Sequence, residues 1–487
     1  MVSRRGLLGG AAAFVGVGVA QGAGVAVADV ALDTPFTPVG TPHLAQAEQL
    51  VGYQRLLAAG YLTSGLVGHW ALDGSGTDRS GHEHPVTLGS GATWTALRAG
   101  GELSLDGTSG AYATTDSVLD TTLPFTVSAW VRLASDADPA TMYTAVSQDG
   151  TTTSRFLLQY DNTVSTWAFK VRSEDQSSKV SAVATSPAAL GVWTHLAGVW
   201  DGTQIRLYVD GQPQGSAATT TLSWAAASGF SLGRARFDGA PVNRFKGAID
   251  DIRAYGRALT ADEIALVSGR TARLNNVYRT DPGATLTWGT PDDPASWVAR
   301  ARCASFVTGV LKHTYGWASD DYFLQYFQEK VPEAADYCAA FLNGTAGPRF
   351  QRVRKVADLQ PGDIIAVDYK GSDPDNTGHI VMVREVEGVF SGTADFTGET
   401  QYAVEIVDCT SDPHGVYALT NYPKYPDTRM VGNVTGENLQ GVGIGHMMFY
   451  ASDTTGEFSR YRWSVNSSKS TGTYDVTARP VAAARVG

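Results

Sequence analysis

The fold of the N-terminal half is indicated by one stretch, Phe125-Thr126-Val127-Ser128-Ala129-Trp130-Val131, in which apolar residues alternate with small or polar ones. A period of two is typical of a strand that buries one face. Similar runs lie at 66–73, 193–200, 205–209 and 245–255, separated by turns rich in Gly, Ser and Asp. Short strands at such spacing predict an all-β sandwich over residues 65–270.

Composition narrows the class of protein further. The chain has 487 residues, of which 43% are hydrophobic and 10% aromatic, so it is long enough for several packed domains and too apolar to be mainly disordered. Its net charge of −11 repels phosphate backbones, and no Lys/Arg cluster offsets this charge. We therefore expect no nucleic-acid partner.

The N-terminus has the features of an export signal. Residues 1–28 contain Arg4 and Arg5, then a Gly/Ala/Val run, and end in Ala26-Val27-Ala28. A basic start, a weakly apolar centre and a small-residue cleavage site resemble a bacterial twin-arginine signal peptide. Residues 29–64 are expected to form a linker with a short helix over 43–62. No later segment is long and apolar enough to span a bilayer, so the sequence predicts a secreted, extracellular protein.

The sandwich region resembles the laminin-G-like family, whose fold is a concanavalin A-like jelly roll. The resemblance rests on a series of motifs in order: HWALDGSG (69–76), LSLDG (103–107), FTVSAWVRL (125–133), VWTHLAGVWDGTQIRLYVDG (192–211) and FKGAIDDIRAYGRALTADEI (245–264). It implies two antiparallel sheets and a binding or spacer role, with a carbohydrate or protein ligand. The resemblance also implies a possible calcium site, for which the available carboxylates are those of Asp73, Asp106, Asp250 and Asp251. Because the sequence has no compact loop with the ligand spacing of a calcium site, we prefer to interpret these residues as turn caps.

Two short motifs in this region suggest chemistry that their context does not favour. Gly229-Phe230-Ser231-Leu232-Gly233 matches the G-x-S-x-G of hydrolases, but the residues that follow predict a turn where that motif requires a helix. His82-Glu83-His84 lacks the spacing of a helical zinc motif and is expected in a surface loop. We interpret both as structural.

Residues 271–487 carry the residue types needed for thiol chemistry. Over 294–315, apolar residues at helical spacing place Cys303 on the buried face of a predicted helix. The turn 358–363 leads into an apolar strand, and His379 opens the next apolar strand after Gly378. A further strand, 402–408, ends at Asp408.

This order of elements resembles the NlpC/P60-like cysteine peptidases and amidases, which are CHAP-like and have a papain fold. The resemblance covers about 290–465 and rests on RCASFV (302–307), LQPGDIIAV (359–367) and NTGHIVMV (376–383). It implies an α+β domain with Cys303 as nucleophile, His379 as general base and Asp408 as the residue that orients the imidazole. Asp412 and His414 are alternatives for the third position.

The proposed triad follows general thiol chemistry. A thiol has a pKa of about 8.5 and needs an imidazolium or a helix N-terminus beside it to become a thiolate near neutral pH. The imidazole then delivers a proton to the leaving amine, while a carboxylate fixes its tautomer. A helix beginning near Ala295 would place Cys303 at its middle, away from the helix dipole, and a break at 300–302 would restore the favourable position.

The other titratable residues have structural interpretations or remain open. Three cysteines in an exported chain mean that one thiol is free or pairs with another molecule. Cys338 could form a disulfide with Cys409, with two buried free thiols as the alternative. His446, in a predicted strand, is expected to be structural. The acidic loop 368–375 could contact substrate amines or be simply solvated.

The sequence thus predicts a secreted thiol-dependent amide hydrolase that needs no cofactor and acts on a peptide or peptidoglycan. Two other functions remain open. The chain could be an extracellular binding or adhesion protein whose papain-like domain is inactive, or a thiol acyltransferase that uses the same triad.

Overall fold

The computed structural model describes residues 41–487 apart from 97, 99, 177, 219–223, 280–283, 372–375, 415–423 and 432–437. The predicted export signal, residues 1–28, lies outside the described residues, as does the chain that follows it up to residue 40. Among the helices of the described residues, none combines the length and apolar character that a membrane span requires.

The described residues form six α-helices and 28 strands. The helices are α1 Pro42–Ala58, α2 Ala261–Val267, α3 Arg270–Asn275, α4 Cys303–Thr314, α5 Asp320–Phe327 and α6 Ala334–Asn343. The first seventeen strands are β1 Leu66–Trp70, β2 Thr87–Leu88, β3 Ala92–Thr95, β4 Glu102–Asp106, β5 Ala113–Thr115, β6 Phe125–Leu133, β7 Tyr143–Asp149, β8 Ser154–Asp161, β9 Thr166–Val171, β10 Val180–Pro187, β11 Thr194–Trp200, β12 Gln204–Val209, β13 Gln212–Ala218, β14 Gly229–Leu232, β15 Ala235–Phe237, β16 Ala240–Val242 and β17 Lys246–Tyr255. The remaining strands are β18 Asn276–Tyr278, β19 Thr285–Thr287, β20 Val298–Ala301, β21 Phe350–Val353, β22 Ile364–Asp368, β23 Gly378–Val389, β24 Glu399–Thr410, β25 Gly441–Ser452, β26 Phe458–Arg462, β27 Thr473–Asp475 and β28 Val481–Val486.

Fifteen of the first seventeen strands build the two sheets of the predicted β-sandwich, and β15 and β16 form a separate two-stranded sheet. One sheet has the order β13-β12-β11-β6-β17-β4-β3, with β1 also paired to β17, and the other has the order β10-β9-β8-β7-β14-β5-β2. The alternating apolar residues of both sheets meet in one core, where the ring of Phe125 lies 5.1 Å from that of Phe156 and 5.8 Å from that of Trp200. The period-two pattern therefore identified the inward-facing residues correctly.

The second unit is an α+β domain built on one antiparallel sheet. Its order is β21-β28-β22-β23-β24-β25-β26-β27, so the last strand of the chain lies between two earlier ones. Helices α4 and α6 pack on one face, against residues that include Ile380 and Val407. The opposite face holds a second core that includes Val381 and Ile406. Adjacent strand residues thus enter different cores, as the pleat requires.

Helix α1 belongs to this α+β domain although it precedes the sandwich in the chain. The sequence placed it in a linker, but its apolar residues Leu44, Leu50 and Val51 are fully buried in the same core as α4. Its carboxylate Glu48, also fully buried, accepts a hydrogen bond from Arg384 Nε of β23 at 2.7 Å. The sandwich is therefore an insertion between α1 and the rest of the domain.

The helix expected to begin near Ala295 begins instead at Cys303. Residues 298–301 form β20, which pairs in parallel with β18 and antiparallel with β19. Arg302 is the N-cap, and its backbone N–H donates to Ser305 Oγ at 2.9 Å. The apolar spacing of this stretch predicted a helix. Its backbone N–H and C=O groups instead find their partners in β18 and β19, which holds the stretch in an extended conformation.

Candidate functional site: a buried Cys–His–Asp group

Cys303 occupies the first turn of α4, where a helix favours negative charge. As the first helical residue, it has a backbone N–H that belongs to the four that no helical carbonyl accepts. Its side chain is 5% exposed, and Sγ lies 3.9 Å from the carbonyl oxygen of Gly378. The strand β20, followed by Arg302 as the N-cap of α4, therefore supplies the break that places Cys303 at the start of a helix.

His379 connects the thiol to a carboxylate. It is the second residue of β23, and its Nε2 lies 2.8 Å from Asp408 Oδ2. Since a carboxylate only accepts, Nε2 donates, and Nδ1 is left to exchange a proton with the thiol. Burial lowers the pKa of His379, but hydrogen bonds to Asp408 and to Cys303 outweigh it and raise the pKa above its usual value.

Asp408 is fully buried in β24 and accepts from three side chains. Oδ2 accepts from His379 and, at 2.9 Å, from Nε2 of His414, while Oδ1 accepts from Nη1 of Arg429 at 2.8 Å. Burial raises the pKa of Asp408, but Arg429 and His414 outweigh this effect and hold the pKa well below its usual range. Arg429 and His414 thus favour the ionised form of Asp408, which accepts from His379.

The two alternatives for the third position lie in different surroundings. His414 contacts Asp408 rather than replacing it, and its ring centre is 5.4 Å from that of His379. Asp412 is exposed in the turn after β24, where its backbone N–H donates to Thr410 Oγ1 at 3.1 Å. The carboxylate that the structure places against His379 is that of Asp408.

An indole covers the imidazoles. The ring of Trp463, which follows β26, lies 4.8 Å from the ring of His379 and 4.0 Å from that of His414. It shields the His379–Asp408 hydrogen bond from water, and a hydrogen bond in a low-dielectric site is electrostatically stronger than one in water.

Sequence reasoning missed the ionic partners behind Asp408, although strand β25 carried a signal for them. Gly443 and Gly445 alternate with apolar residues in GVGIGH. A Cβ at Gly443 would lie 2.7 Å from Arg429 Nε, and one at Gly445 would collide with Asp427. Alternate glycines in a strand thus mark the face that another group approaches closely.

Of the two alternatives for Cys338 and Cys409, the structure has two buried free thiols rather than a disulfide. Cys338 Sγ lies 3.4 Å from the Pro480 carbonyl oxygen, and Cys409 Sγ lies 3.1 Å from that of Ala301. Each thiol donates to a different part of the backbone. Burial raises the pKa of Cys338 to about 12 and that of Cys409 well above its usual value.

Two groups among the described residues have the ligand types and spacing for a metal ion. One is His379, Asp408 and His414, and the other is Glu387, Glu405 and His446. In the second group His446 Nε2 lies 3.0 Å from Glu387 Oε1, and Arg384 pairs with Glu405. A guanidinium pairs with one carboxylate of each group, Arg429 with Asp408 and Arg384 with Glu405, which disfavours a metal ion at either.

The carboxylates considered for calcium in the sandwich have other partners. Asp73 pairs with Arg79 at 2.8 Å, Asp250 with Arg98 at 2.7 Å, and Asp251 with both His69 and Arg253. Asp106 accepts from the backbone N–H of Thr108 at 2.8 Å in a turn. Asp106 thus has the turn-acceptor role that the sequence favoured, whereas Asp73, Asp250 and Asp251 form ion pairs that the sequence did not predict.

The G-x-S-x-G match and the His82-Glu83-His84 motif both lie in the sandwich as structural elements. Ser231 of the G-x-S-x-G match is fully buried in β14, which is followed by the hairpin of β15 and β16. His82 and Glu83 are exposed in a loop. Half of the acidic loop 368–375, residues 372–375, lies outside the described residues.

Comparison with known proteins assigns a family to the sandwich. Residues 106–265 match the family model of the concanavalin A-like lectin/glucanases superfamily. An uncharacterized protein of Acanthamoeba polyphaga mimivirus is 26% identical over 207 residues, which is 41% of this chain and 83% of that protein. The sandwich is therefore a concanavalin A-like domain.

Solved structures with a related fold are more distant. Domain 4 of AbnA, a GH43 extracellular arabinanase from Geobacillus stearothermophilus in complex with arabinotriose, is 21% identical, covers 42% of this chain and 98% of that one, and has a TM-score of 0.33. A Trypanosoma rangeli sialidase is 17% identical, covers 46% of this chain and 38% of that one, and has a TM-score of 0.34. At these TM-scores no ligand is carried over to this chain.

Proposed function

We propose that the α+β domain is an NlpC/P60-like, papain-fold thiol hydrolase of amide bonds, and that the sandwich is its binding module. The observation that carries the proposal is the chain of contacts from Cys303, at the start of α4, through His379 to the ionised Asp408. These residues supply a nucleophile, a proton carrier and an orienting group in the order that amide cleavage requires.

The reaction would begin with transfer of the thiol proton to Nδ1 of His379. Sγ then attacks the amide carbon, and the backbone N–H of Cys303 donates to the oxyanion that forms. The imidazolium returns its proton to the leaving amine, which leaves a thioester that water hydrolyses. Asp408 keeps Nε2 protonated throughout, so the proton always moves at Nδ1.

The test is alkylation by iodoacetamide, mapped by peptide mass spectrometry between pH 5 and pH 9. We expect modification of Cys303 well below pH 8 and its loss in His379→Ala. The matched control is His446→Gln, which removes a second buried histidine of the same sheet that lies 3.0 Å from Glu387 rather than against Asp408. An inert Cys303 in the wild type would overturn the proposal.

A binding protein with an inactive domain is the second candidate, and the 5% exposure of Cys303 favours it. A binding protein would leave Cys303 unmodified and peptidoglycan fragments unchanged. With an active domain, mass spectrometry of the fragments separates hydrolysis, which adds water, from acyl transfer, which adds the acceptor amine.

The superfamily of lectins and glucanases matched by the sandwich supports a carbohydrate ligand, which sedimentation with insoluble peptidoglycan would test.

A further inference from the structure

Three tyrosines hold the guanidinium of Arg479 in a fixed orientation. Its Cζ lies over two aromatic rings, 4.0 Å from the centre of Tyr369 and 3.7 Å from that of Tyr474. Nη1 also donates to the hydroxyl of Tyr461 at 3.0 Å. The contact of a guanidinium with aromatic faces is attractive, and together with the hydrogen bond it restrains the plane of this group.

The guanidinium lies on the same face and at the same end of the sheet as His379. Tyr369 follows β22, and its backbone N–H donates at 3.0 Å to the carbonyl of Thr377, two residues before His379. The rings of all three tyrosines pack against the core that includes Val381, and His379 faces the same side of β23 because it lies two positions from Val381. Burial raises the pKa of Tyr369 well above its usual value, and the nearby thiol of Cys303 is among the groups that add to this effect.

The spacing between strands sets the distance from Arg479 to the site. Val367 of β22 pairs with Val481 of β28 on one side and with His379 of β23 on the other. Neighbouring strands are about 4.8 Å apart, so the start of β28, which Arg479 closely precedes, lies about 10 Å from His379. An extended peptide spans about 3.3–3.6 Å per residue, so about three residues cover this distance.

Arg479 pairs with no carboxylate in the part of the chain that the structure describes. Arg460 of the same sheet has a different arrangement, because it lies 3.9 Å from the ring centre of Phe396 and also pairs with Glu399 at 3.0 Å. The side chain of Arg479 is only partly buried, so the N–H groups that do not donate to Tyr461 can reach a ligand. A guanidinium offers five N–H donors in a fork that matches a carboxylate through two parallel hydrogen bonds.

We propose that Arg479 binds a carboxylate of the substrate, so that the hydrolase acts on peptides with a free carboxylate about three residues from the amide bond that is cleaved. The inference rests on the proposed function, because it names the substrate class of the same site. A peptide brings such an anion as its C-terminal group or as an acidic side chain. In a chain of net charge −11, most of the surface repels this anion, so Arg479 determines where it binds.

The first test uses reagents that alkylate Cys303 and carry a tail of defined length. Bromoacetyl-glycine, its diglycine and triglycine homologues, and the C-terminal amide of each form pairs that differ only in the charge of the tail. At the best length, we expect the carboxylate to half-saturate alkylation at a concentration roughly tenfold lower than the amide does, with the same maximal rate. A wild type without this preference at any length would overturn the proposal.

Variants assign the preference to one arginine. Arg479→Gln removes the charge and the fork, so the carboxylate and the amide should then have equal half-saturation concentrations. The matched control is Arg460→Gln, which removes an arginine that also contacts an aromatic ring but already pairs with Glu399, and it should keep the wild-type preference. A preference that persists in Arg479→Gln would also overturn the proposal.

The second test needs no reactive thiol. In Cys303→Ser labelled with ¹⁵N-arginine, the Nε–H signal of Arg479 is assigned by its contacts with the ring protons of Tyr369 and Tyr474. We expect titration with acetyl-triglycine to shift this signal, and titration with the C-terminal amide of the same peptide to leave it in place. The signal of Arg460 should not move with either peptide. A signal of Arg479 that stays in place with both peptides would contradict carboxylate binding.

These outcomes separate the inference from the proposed function. An inert Cys303 together with a carboxylate-specific shift of the Arg479 signal would refute hydrolysis and leave a carboxylate-binding site established. A reactive Cys303 that is alkylated equally by carboxylates and amides would refute the role of Arg479 alone. If Arg479→Gln does not fold, the preference of the wild type and the Arg479 signal still decide.

Discussion

Glu48 of α1 pairs with Arg384 of β23 at 2.7 Å, although 336 positions separate them in the chain. Arg384 also pairs with Glu405 of β24, so one guanidinium joins the helix before the sandwich to two strands after it. The sandwich is thereby held at both of its ends by the α+β domain. Its N-terminal end is further fixed by Arg253, whose Nη2 donates to the carbonyl of Ala59 at 2.6 Å.

Loss of the Glu48–Arg384 ion pair should lower the stability of the α+β domain and leave that of the sandwich unchanged. Arg384→Leu leaves Glu48 buried without this partner, which typically costs about 3–5 kcal/mol. We expect the urea transition of the α+β domain to move by that amount while the sandwich transition stays in place. The control is Arg206→Gln, which breaks a more exposed pair with Asp201 and should cost less than about 1 kcal/mol. Equal effects of the two changes would contradict the role of the pair.

Asp408→Asn should abolish most of the hydrolytic activity. An amide can present its NH₂ group to Nε2 of His379 and so favour the wrong tautomer, a change that costs about three to four orders of magnitude in comparable triads. Product formation from peptidoglycan fragments measures the effect. Asp412→Asn, in the exposed turn after β24, is the matched control and should retain full activity; the opposite ranking would reassign the third residue.

The pH dependence of stability should have opposite signs at two histidines. The pKa of His379 is raised in the folded state, so its contribution is fully present below about pH 6.5 and is lost as the pH rises through the folded pKa. His379→Gln should therefore cost more stability at pH 6 than at pH 9. Urea unfolding at the two pH values measures this difference.

His195 of the sandwich provides the contrast. Burial lowers the pKa of His195 to about 3, so the unfolded chain binds a proton below about pH 6.5 that the folded chain excludes. Relative to His195→Gln, the wild type should lose stability as the pH falls from 7 to 5. A parallel pH dependence at both histidines would contradict these assignments.

Thiol counting should distinguish the three cysteines. Cys338 and Cys409 are fully buried, and burial raises the pKa of each, so neither should react in the native protein at pH 7. We expect one equivalent of reactive thiol in the native state and three in denaturant without reductant. Cys303→Ser should remove the native signal, and two missing equivalents in denaturant would indicate a disulfide.

The glycines of β25 should tolerate no side chain. Gly443→Ala places a methyl group against Arg429 and should lower the free energy of unfolding by about 1–3 kcal/mol, because a well-packed core resists added atoms. Gly316→Ala is the control, since a Cβ there meets nothing within 4 Å. Thermal unfolding measures both, and a neutral Gly443→Ala would show that Arg429 can move aside.

The candidate site was partly predictable because its members lie at the ends of regular elements. His379 follows Gly378 at the start of an apolar strand, and Asp408 lies near the end of another, so period-two patterns located both. The start of α4 was not predictable, since residues 298–301 fit a helix locally and become a strand only by pairing with 276–278 and 285–287. That pairing depends on two other segments of the chain, so the sequence of 298–301 alone does not show it.

The sequence by itself determined the sandwich, the strands β22 to β25 of the second domain and the residue types of the site, because burial on one face leaves a local period that the chain records. Tertiary structure alone decided that α1 belongs to the α+β domain, that Cys303 begins a helix and that His414, Asp427 and Arg429 surround Asp408. Those outcomes depend on strand pairing and on buried ion pairs between segments that are not adjacent in the chain, from Asp408 and His414, 6 positions apart, to Glu48 and Arg384, 336 positions apart, and such contacts leave no local pattern.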